Sequence, residues 1–227
     1  MSATEQTQRI VVVGLGITGL SVVRHLIAQG HQVVVADSRA EPPGLPLLKQ
    51  AFPDLSVHLG PFQESVFAEA DMLVLSPGVP LATPLVRAAS ARGVSVVGDI
   101  ELFARAARAP VVAITGSNGK STVTTLVGEM ASAAGRRVAV GGNLGTPALD
   151  LLDDQVELYV LELSSFQLET TYSLQAAVAV VLNVQADHLD RYPDIETYAD
   201  AKAMILQGAG LGIYNADDAR VMAMGGS

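Results

Sequence analysis

The sequence predicts an α/β protein made of two doubly wound units in series. Short β-branched apolar runs alternate with segments of helical apolar spacing, and twice such a run leads into a glycine-rich loop, near Gly14 and near Gly116. Composition agrees: 49% of the residues are hydrophobic but only 4% are aromatic, so the apolar content is Ala, Val and Leu, which suits parallel strands buried under helices. With 227 residues and 16% charged side chains, a sizeable core is within reach and global disorder is excluded.

The elements follow in order. "RIVVVGLG" (9–16) is a strand running into glycine, and "ITGLSVVRHLIAQG" (17–30) has helical spacing with a terminal glycine cap. "HQVVVAD" (31–37) and "ADMLVLSPG" (70–78) read as strands, "TPLVRAASARG" (83–93) as a helix and "VSVVG" (94–98) as a short strand. "DIELFARAARAP" (99–110) is a helical connector ending at Pro110. The pattern then restarts with strand "VVAIT" (111–115), a loop, and helix "KSTVTTLVGEMASAAG" (120–135). Further strands are "RVAV" (137–140), "VELYVLE" (156–162), "AVAVVLNV" (177–184) and "LGIYN" (211–215), with a helix over "DIETYADAKAMILQ" (194–207). Two sheets are expected, with domains at 1–98 and 99–227 and the boundary within 98–110. The second domain is expected to be incomplete, because the chain stops soon after a strand and its closing Gly-Gly-Ser resembles a linker.

Several function classes drop out. There is no cysteine, hence no disulfide framework and no thiolate chemistry. The opening "MSATEQTQ" lacks the layout of a signal peptide. The longest apolar run, "AAVAVVLNV" (176–184), falls well short of the roughly 18 residues of a membrane span. The expected location is therefore the cytoplasm. A net charge of −9 argues against nucleic-acid binding. An anionic ligand must be held by backbone amides and a few placed cations, and the lysines are only Lys49, Lys120 and Lys202.

Gly14, Gly16 and Gly19 form G-x-G-x-x-G between a strand and a helix, and Asp37 ends the next strand. That is the dinucleotide-binding fingerprint with its acidic residue about 20 positions on. Asp37 is placed to pair with a ribose hydroxyl, and Arg39 to stack on a base or meet a phosphate. Two rival readings stand beside this one: glycines that merely pack helix against strand, and an NAD-dependent oxidoreductase.

In "TGSNGKST", Gly116, Gly119, Lys120 and Ser121 give G-x-x-G-K-S, two residues shorter than the common triphosphate loop. Amides around Gly116 to Gly119 can form an anion nest at a helix start, Lys120 would reach the outer phosphates, and the Ser121 hydroxyl would bind Mg²⁺. Glu162 closes the run "LYVLE", at the strand edge where α/β ligands bind. "NVQADHLDRY" clusters Asp187, His188 and Asp190. Taken alone, Glu162 could be a solvated strand-end carboxylate, His188 a solvated loop histidine and Lys202 a surface lysine.

"ITGSNGKST", "GGNLGTPAL" (141–149), "LELSSFQLE" (161–169) and "NVQADHLDRY" (183–192) together resemble the Mur ligases of bacterial cell-wall synthesis. "ELSSFQLE" and "GLGITGLS" look like the branch that adds D-glutamate. The resemblance implies a Rossmann-like UDP-binding domain followed by a phosphate-loop ATPase-type domain. It implies an ATP-dependent amide ligase joining D-glutamate to UDP-N-acetylmuramoyl-L-alanine through an acyl phosphate, acting as a monomer. Gly14, Gly16, Ile17, Thr18, Asp37, Ser38 and Arg39 would hold the UDP end, with Ser76, Asn143 and Gln167 on the diphosphate and sugar. Gly116, Ser117, Asn118, Gly119, Lys120, Ser121 and Thr122 would hold ATP. Two Mg²⁺ ions would rest on Ser121, Glu162, His188 and a carbamylated Lys202, which makes Lys120, His188 and Lys202 the catalytic set. Members of the family carry a further amino-acid-binding domain, which places ligation by this chain alone in question. Another Mur ligase, a folylpolyglutamate synthase and a non-catalytic nucleotide-binding module are the alternatives.

Overall fold

The computed structural model describes residues 7–225. The terminal Gly226 and Ser227 read as linker, and most of the polar amino-terminal segment, lie outside them. Contacts divide the chain into two compact units, one ending at Asp99 and the other beginning at Ile100.

The first unit is a parallel sheet in the order β3-β2-β1-β4-β5, built from β1 (Arg9–Val13), β2 (Gln32–Asp37), β3 (Ser56–Leu59), β4 (Met72–Leu75) and β5 (Ser95–Gly98). Strand β1 is central, and Ile10 through Val13 have no exposed surface, which explains why its sequence is an unbroken apolar run and not an alternating one. Helices α1 (Ile17–Ala28), α2 (Leu45–Ala51), α3 (Glu64–Ala68) and α4 (Pro84–Ala91) connect the strands. Val11, Val13, Val34, Leu73 and Leu75 from the sheet pack with Phe67, Val86 and Ala89 from the helices. The elements α2, β3 and α3 lie in a stretch where the sequence reading places none.

The second unit is also a parallel sheet, ordered β10-β9-β6-β8-β7. Its strands are β6 (Val111–Thr115), β7 (Val138–Gly142), β8 (Leu158–Glu162), β9 (Val178–Val181) and β10 (Gly212–Tyr214). The helices are α5 (Asp99–Ala106), α6 (Lys120–Ala133), α7 (Ser165–Leu168), α8 (Ile195–Ala203) and α9 (Ala219–Met224). The helix expected over 194–207 ends as α8 at Ala203 and tightens into a 3-10 turn over Met204–Leu206. Glu101 of α5 is buried and accepts hydrogen bonds from the Tyr172 and Ser173 amides at 2.7 and 2.8 Å and from Arg105 at 2.9 Å. Burial pushes its carboxyl up, but those donors together hold it below the usual value. The connector helix is thereby tied to the loop beyond α7.

Both units are α/β with all-parallel sheets, as the sequence predicts. In each, the first strand has its successors on opposite sides, which opens a crevice at the carboxyl ends of the strands. Among the described residues no helix is long and apolar enough to cross a membrane.

Candidate active site

The crevice of the second unit is assembled from three strand ends. Strand β6 stops at Thr115, whose hydroxyl donates to the Leu163 carbonyl at 2.8 Å. The chain then turns through Gly116–Gly119 into α6. Gly119 caps that helix with φ of 78°, a left-handed conformation in which a side chain would be strained. Lys120 curls back, and its Nζ donates to the Ser117 carbonyl at 3.1 Å. Ser121, one residue on, donates its hydroxyl proton to Glu162 Oε2 at 2.7 Å.

Glu162 is therefore no solvated strand end. It is 3% exposed, and its other carboxylate oxygen accepts from Asn143 Nδ2 at 2.8 Å. Asn143, assigned from the sequence to the substrate, orients this carboxylate. Gln167 is likewise buried: its Oε1 accepts from the Ser164 amide at 3.1 Å, and Ser164 caps α7 in a capping box. That box is the signature of α7, which the sequence reading passed over.

The third strand end contributes the loop after β9. His188 is half-exposed and, at φ 54°, is the one non-glycine residue with positive φ among the described residues. Its Nε2 lies 3.6 Å from Asp187 Oδ2, and its ring sits 4.9 Å from Phe166 and 6.1 Å from Tyr198. Behind it, Lys202 corrects the surface-lysine reading outright. It is 1% exposed, its Nζ donates to the Gly116 carbonyl at 3.0 Å, and the ammonium stands 4.4 Å over the Tyr198 ring. Burial, reinforced by the charge of Lys120 and opposed by Asp187, lowers its pKa to about 7.

The anion nest also needs revision. The amides of Ser117 and Asn118, counted as phosphate donors, both point at Asn183 Oδ1, at 3.0 and 2.9 Å. What remains for an anion is the start of α6 from Gly119 onward, with Lys120 and Thr122. Asn183 and Tyr198, which bond the loop at Ser117, are residues of this site that the sequence reading does not single out. Asn183 had one signal: it opens the motif "NVQADHLDRY" directly after a buried strand. Among the described residues no three His, Asp or Glu side chains converge as a metal site.

The first unit closes its glycine loop differently. A Cβ at Gly19 would overlap the Gly14 carbonyl, so helix α1 approaches the turn as closely as glycine permits. Ser76 Oγ donates to that same carbonyl at 2.8 Å. Asp37 is 2% exposed and accepts the Leu15 amide at 2.7 Å, the Arg39 amide at 2.9 Å and the Arg39 guanidinium at 2.8 and 2.6 Å. Burial alone would raise its carboxyl, yet these donors hold it below its ordinary value. Both oxygens expected to meet a ribose are already engaged, and the Arg39 expected to reach a base or phosphate is folded onto Asp37. Ile17, 70% exposed, and Ser38 stand at the open side of the turn, with Thr18 partly covered.

Residues 8–98 match the N-terminal domain of MurD-like Mur ligases, and residues 114–225 match the Mur ligase middle domain. The chain is 60% identical over 214 residues to the UDP-N-acetylmuramoylalanine–D-glutamate ligase of Methylobacillus flagellatus, and 59% identical over 219 residues to that of Marinobacter nauticus. These alignments take in 93% and 96% of this chain but 47% and 49% of the relatives, so the chain spans about half the length of the curated relatives it matches. Among solved structures it resembles the UDP-N-acetylmuramate:L-alanyl-γ-D-glutamyl-meso-diaminopimelate ligase of Neisseria meningitides, with a TM-score of 0.61 and 18% identity over 96% of this chain and 74% of that one. It also resembles the UDP-N-acetylmuramate-alanine ligase of Thermotoga maritima, with a TM-score of 0.58 and 21% identity over 96% of this chain and 51% of that one. At those identities the structural likeness shows the fold alone. The two matched models are both domains of one family and between them take in nearly all of the chain, so the chain belongs to the Mur ligases.

Proposed function

We propose that this chain supplies the nucleotide-sugar-binding domain and part of the ATP-binding domain of a cytoplasmic ligase. The reaction is the addition of D-glutamate to UDP-N-acetylmuramoyl-L-alanine in peptidoglycan precursor synthesis. Relatives named for that reaction, 60% and 59% identical over nearly all of this chain, support the substrate. The observation that carries the chemistry is the meeting of the Ser121 hydroxyl with the Glu162 carboxylate beside the phosphate loop.

In this reading the terminal phosphoryl of ATP passes to the alanyl carboxylate and ADP leaves. The D-glutamate amine then attacks the acyl carbon and forms the C–N bond, the C–O bond to phosphate breaks, and inorganic phosphate and the amine's proton leave, so that an amide remains. Lys120 exchanges the Ser117 carbonyl for the transferring phosphoryl and offsets its charge, and amides from Gly119 onward hold the phosphates still. The first unit holds the UDP end at the turn bounded by Gly14, Gly16, Ile17 and Thr18, with Asp37 and Arg39 as its rim.

The donor set at Ser121 and Glu162 fits magnesium, since a hydroxyl and a carboxylate are hard oxygen ligands. Bound there, magnesium would neutralise phosphate charge during transfer. His188 and Lys202 are the proposed holders of a second ion, and Lys202 fits only after carbamylation. Its neutral amine forms an N–C bond to carbon dioxide and releases a proton, turning a cation into an oxygen ligand. The buried setting of Lys202, which disfavours the ammonium, supports that modification.

A phosphate-release assay on the intact protein tests the proposal. Release from ATP should require both UDP-N-acetylmuramoyl-L-alanine and D-glutamate. Equal release with L-glutamate, or tighter binding of NAD than of the UDP ligand, would overturn it.

A further inference from the structure

The phosphate loop is two residues shorter than the common form, and its tip is bonded to the segment that follows β9. Asn183, just past the end of β9, reaches across to the loop tip. Its Oδ1 accepts the Ser117 and Asn118 amides, and its Nδ2 donates to the Asn118 carbonyl at 3.0 Å. Its own carbonyl takes a share of the Ser117 amide at 3.0 Å. Gln185 completes the attachment. Its amide donates to Ser117 Oγ at 3.0 Å, and its Oε1 accepts from Asn118 Nδ2 at 3.0 Å. Ser117 Oγ in turn lies 3.3 Å from the Tyr198 hydroxyl, whose ring underlies Lys202.

We infer that Asn183, assisted by Gln185, is a positioning residue that pre-forms the shortened loop for triphosphate, taking the place of the two missing residues. The inference rests on reading this loop as the ATP site. A longer loop can wrap on itself; with two residues fewer, the tip amides find an acceptor in a neighbouring side chain. Fixing the tip aims the Ser117 carbonyl at Lys120 and leaves the amides from Gly119 onward free for phosphate. The clamp must be neutral. A carboxylate at position 183 could accept both amides, but it would repel the Asn118 carbonyl and set a negative charge at the lip of an anion site.

The test is steady-state kinetics of the intact protein with ATP and the UDP substrate varied separately. Asn183→Ala should raise the KM for ATP by roughly 10–100-fold, the equivalent of one or two loop hydrogen bonds, with the KM for the UDP substrate within about 2-fold of wild type. Asn183→Asp, which keeps the shape, should raise the ATP KM at least as much. Gln185→Ala, an exposed change safe for folding, should raise it by roughly 3–10-fold. Lys120→Ala serves as the reference. If it loses ATP binding while the Asn183 and Gln185 variants keep wild-type ATP KM, the positioning role is wrong and the ATP site stands. If Lys120→Ala keeps ATP binding, the site reading falls and the inference with it. Equal rises in both KM values with a lowered melting temperature in Gln185→Ala would reduce the clamp to general scaffolding and also overturn it.

Discussion

The two glycine loops of this chain begin from the same layout, a central buried strand running into glycine and then a helix, yet they manage charge in opposite ways. At the first, the acid and base nearest the turn neutralise each other: Asp37 takes the Arg39 guanidinium through two hydrogen bonds and also fixes the Leu15 amide. At the second, the cations are held apart from carboxylates. Lys120 and Lys202 donate to the carbonyls of Ser117 and Gly116, and Lys120 helps to depress the pKa of Lys202. A site that recognises a nucleotide sugar can rest electrostatically satisfied. A site that handles a transferring phosphoryl gains from a cation such as Lys120 that is already in place and bonded to a neutral carbonyl, not to a carboxylate. On the proposed reading, the same loop geometry thus serves binding in one unit and chemistry in the other.

The sharpest way to break this contrast is Lys120→Ala. Turnover of the intact protein should fall by at least about 1000-fold, since a charge on the transferring phosphoryl is lost, while calorimetric binding of the UDP substrate stays near wild type. Turnover close to wild type would mean that the second loop holds no triphosphate. Lys202→Ala should follow, with a loss of roughly 100-fold or more. Short carboxylic acids added in solution should restore part of that activity by supplying the missing oxygens. Loss without rescue would leave Lys202 as a packing residue only.

A third test uses pH. Lys202 has a folded pKa of about 7 against an ordinary value of 10.5. Below pH 7 both folded and unfolded chains carry the proton, and the folded state bears the full cost of a buried ammonium. Between about 7 and 10.5 the unfolded chain binds more protons, so stability must rise with pH. Measured by urea unfolding in carbon-dioxide-free buffer, wild type should gain on Lys202→Met by about 2–3 kcal/mol between pH 7 and 9.5. Parallel stability curves would show that the amine is solvated after all.

How much of this could be read from sequence varies by element, for physical reasons. Strands β1 and β6 are legible because their runs Ile10–Val13 and Val111–Ile114 are apolar without a break and each strand abuts glycine. The stretch with α2, β3 and α3 is not. Strand β3 is a short, partly exposed edge strand with Ser56 and His58 in it, and α3 spans only five residues. Strand order was also out of reach, since pairings such as β6 with β9 join residues far apart in sequence. At the site, residue types announced themselves and their bonding did not. Lys202 reads as a surface residue because Asp200 and Glu196 share its helix, and only the packing of α8 hides it. Asn143 stands out for its motif, but its contact with Glu162 depends on β7 lying beside β8.

The smallest expected effect belongs to the first loop and sharpens the comparison most. Asp37 does two things at once, and two substitutions separate them. Asp37→Ala removes the acceptor of the buried Leu15 amide and should cost about 1–3 kcal/mol of stability in the first unit, besides weakening the UDP ligand. Asp37→Asn keeps an oxygen for that amide but gives up the charge that holds Arg39. It should fold nearly as well as wild type and raise the Kd for the UDP ligand by about 3–10-fold, with ATP kinetics unchanged. The effect is modest because Arg39 is half-exposed and water screens the pair. Since the Asp37 carboxyl sits below its ordinary value of 3.8, the pair is intact at all pH values above that and is lost as pH falls through the lowered pKa. Wild-type UDP binding should accordingly show no titration of Asp37 between pH 5 and 8, the range that contains the Lys202 transition in the other unit. An Asp37→Asn protein with unchanged UDP affinity would mean that the acid–base pair serves the turn alone, and that the first loop recognises its ligand through backbone and shape.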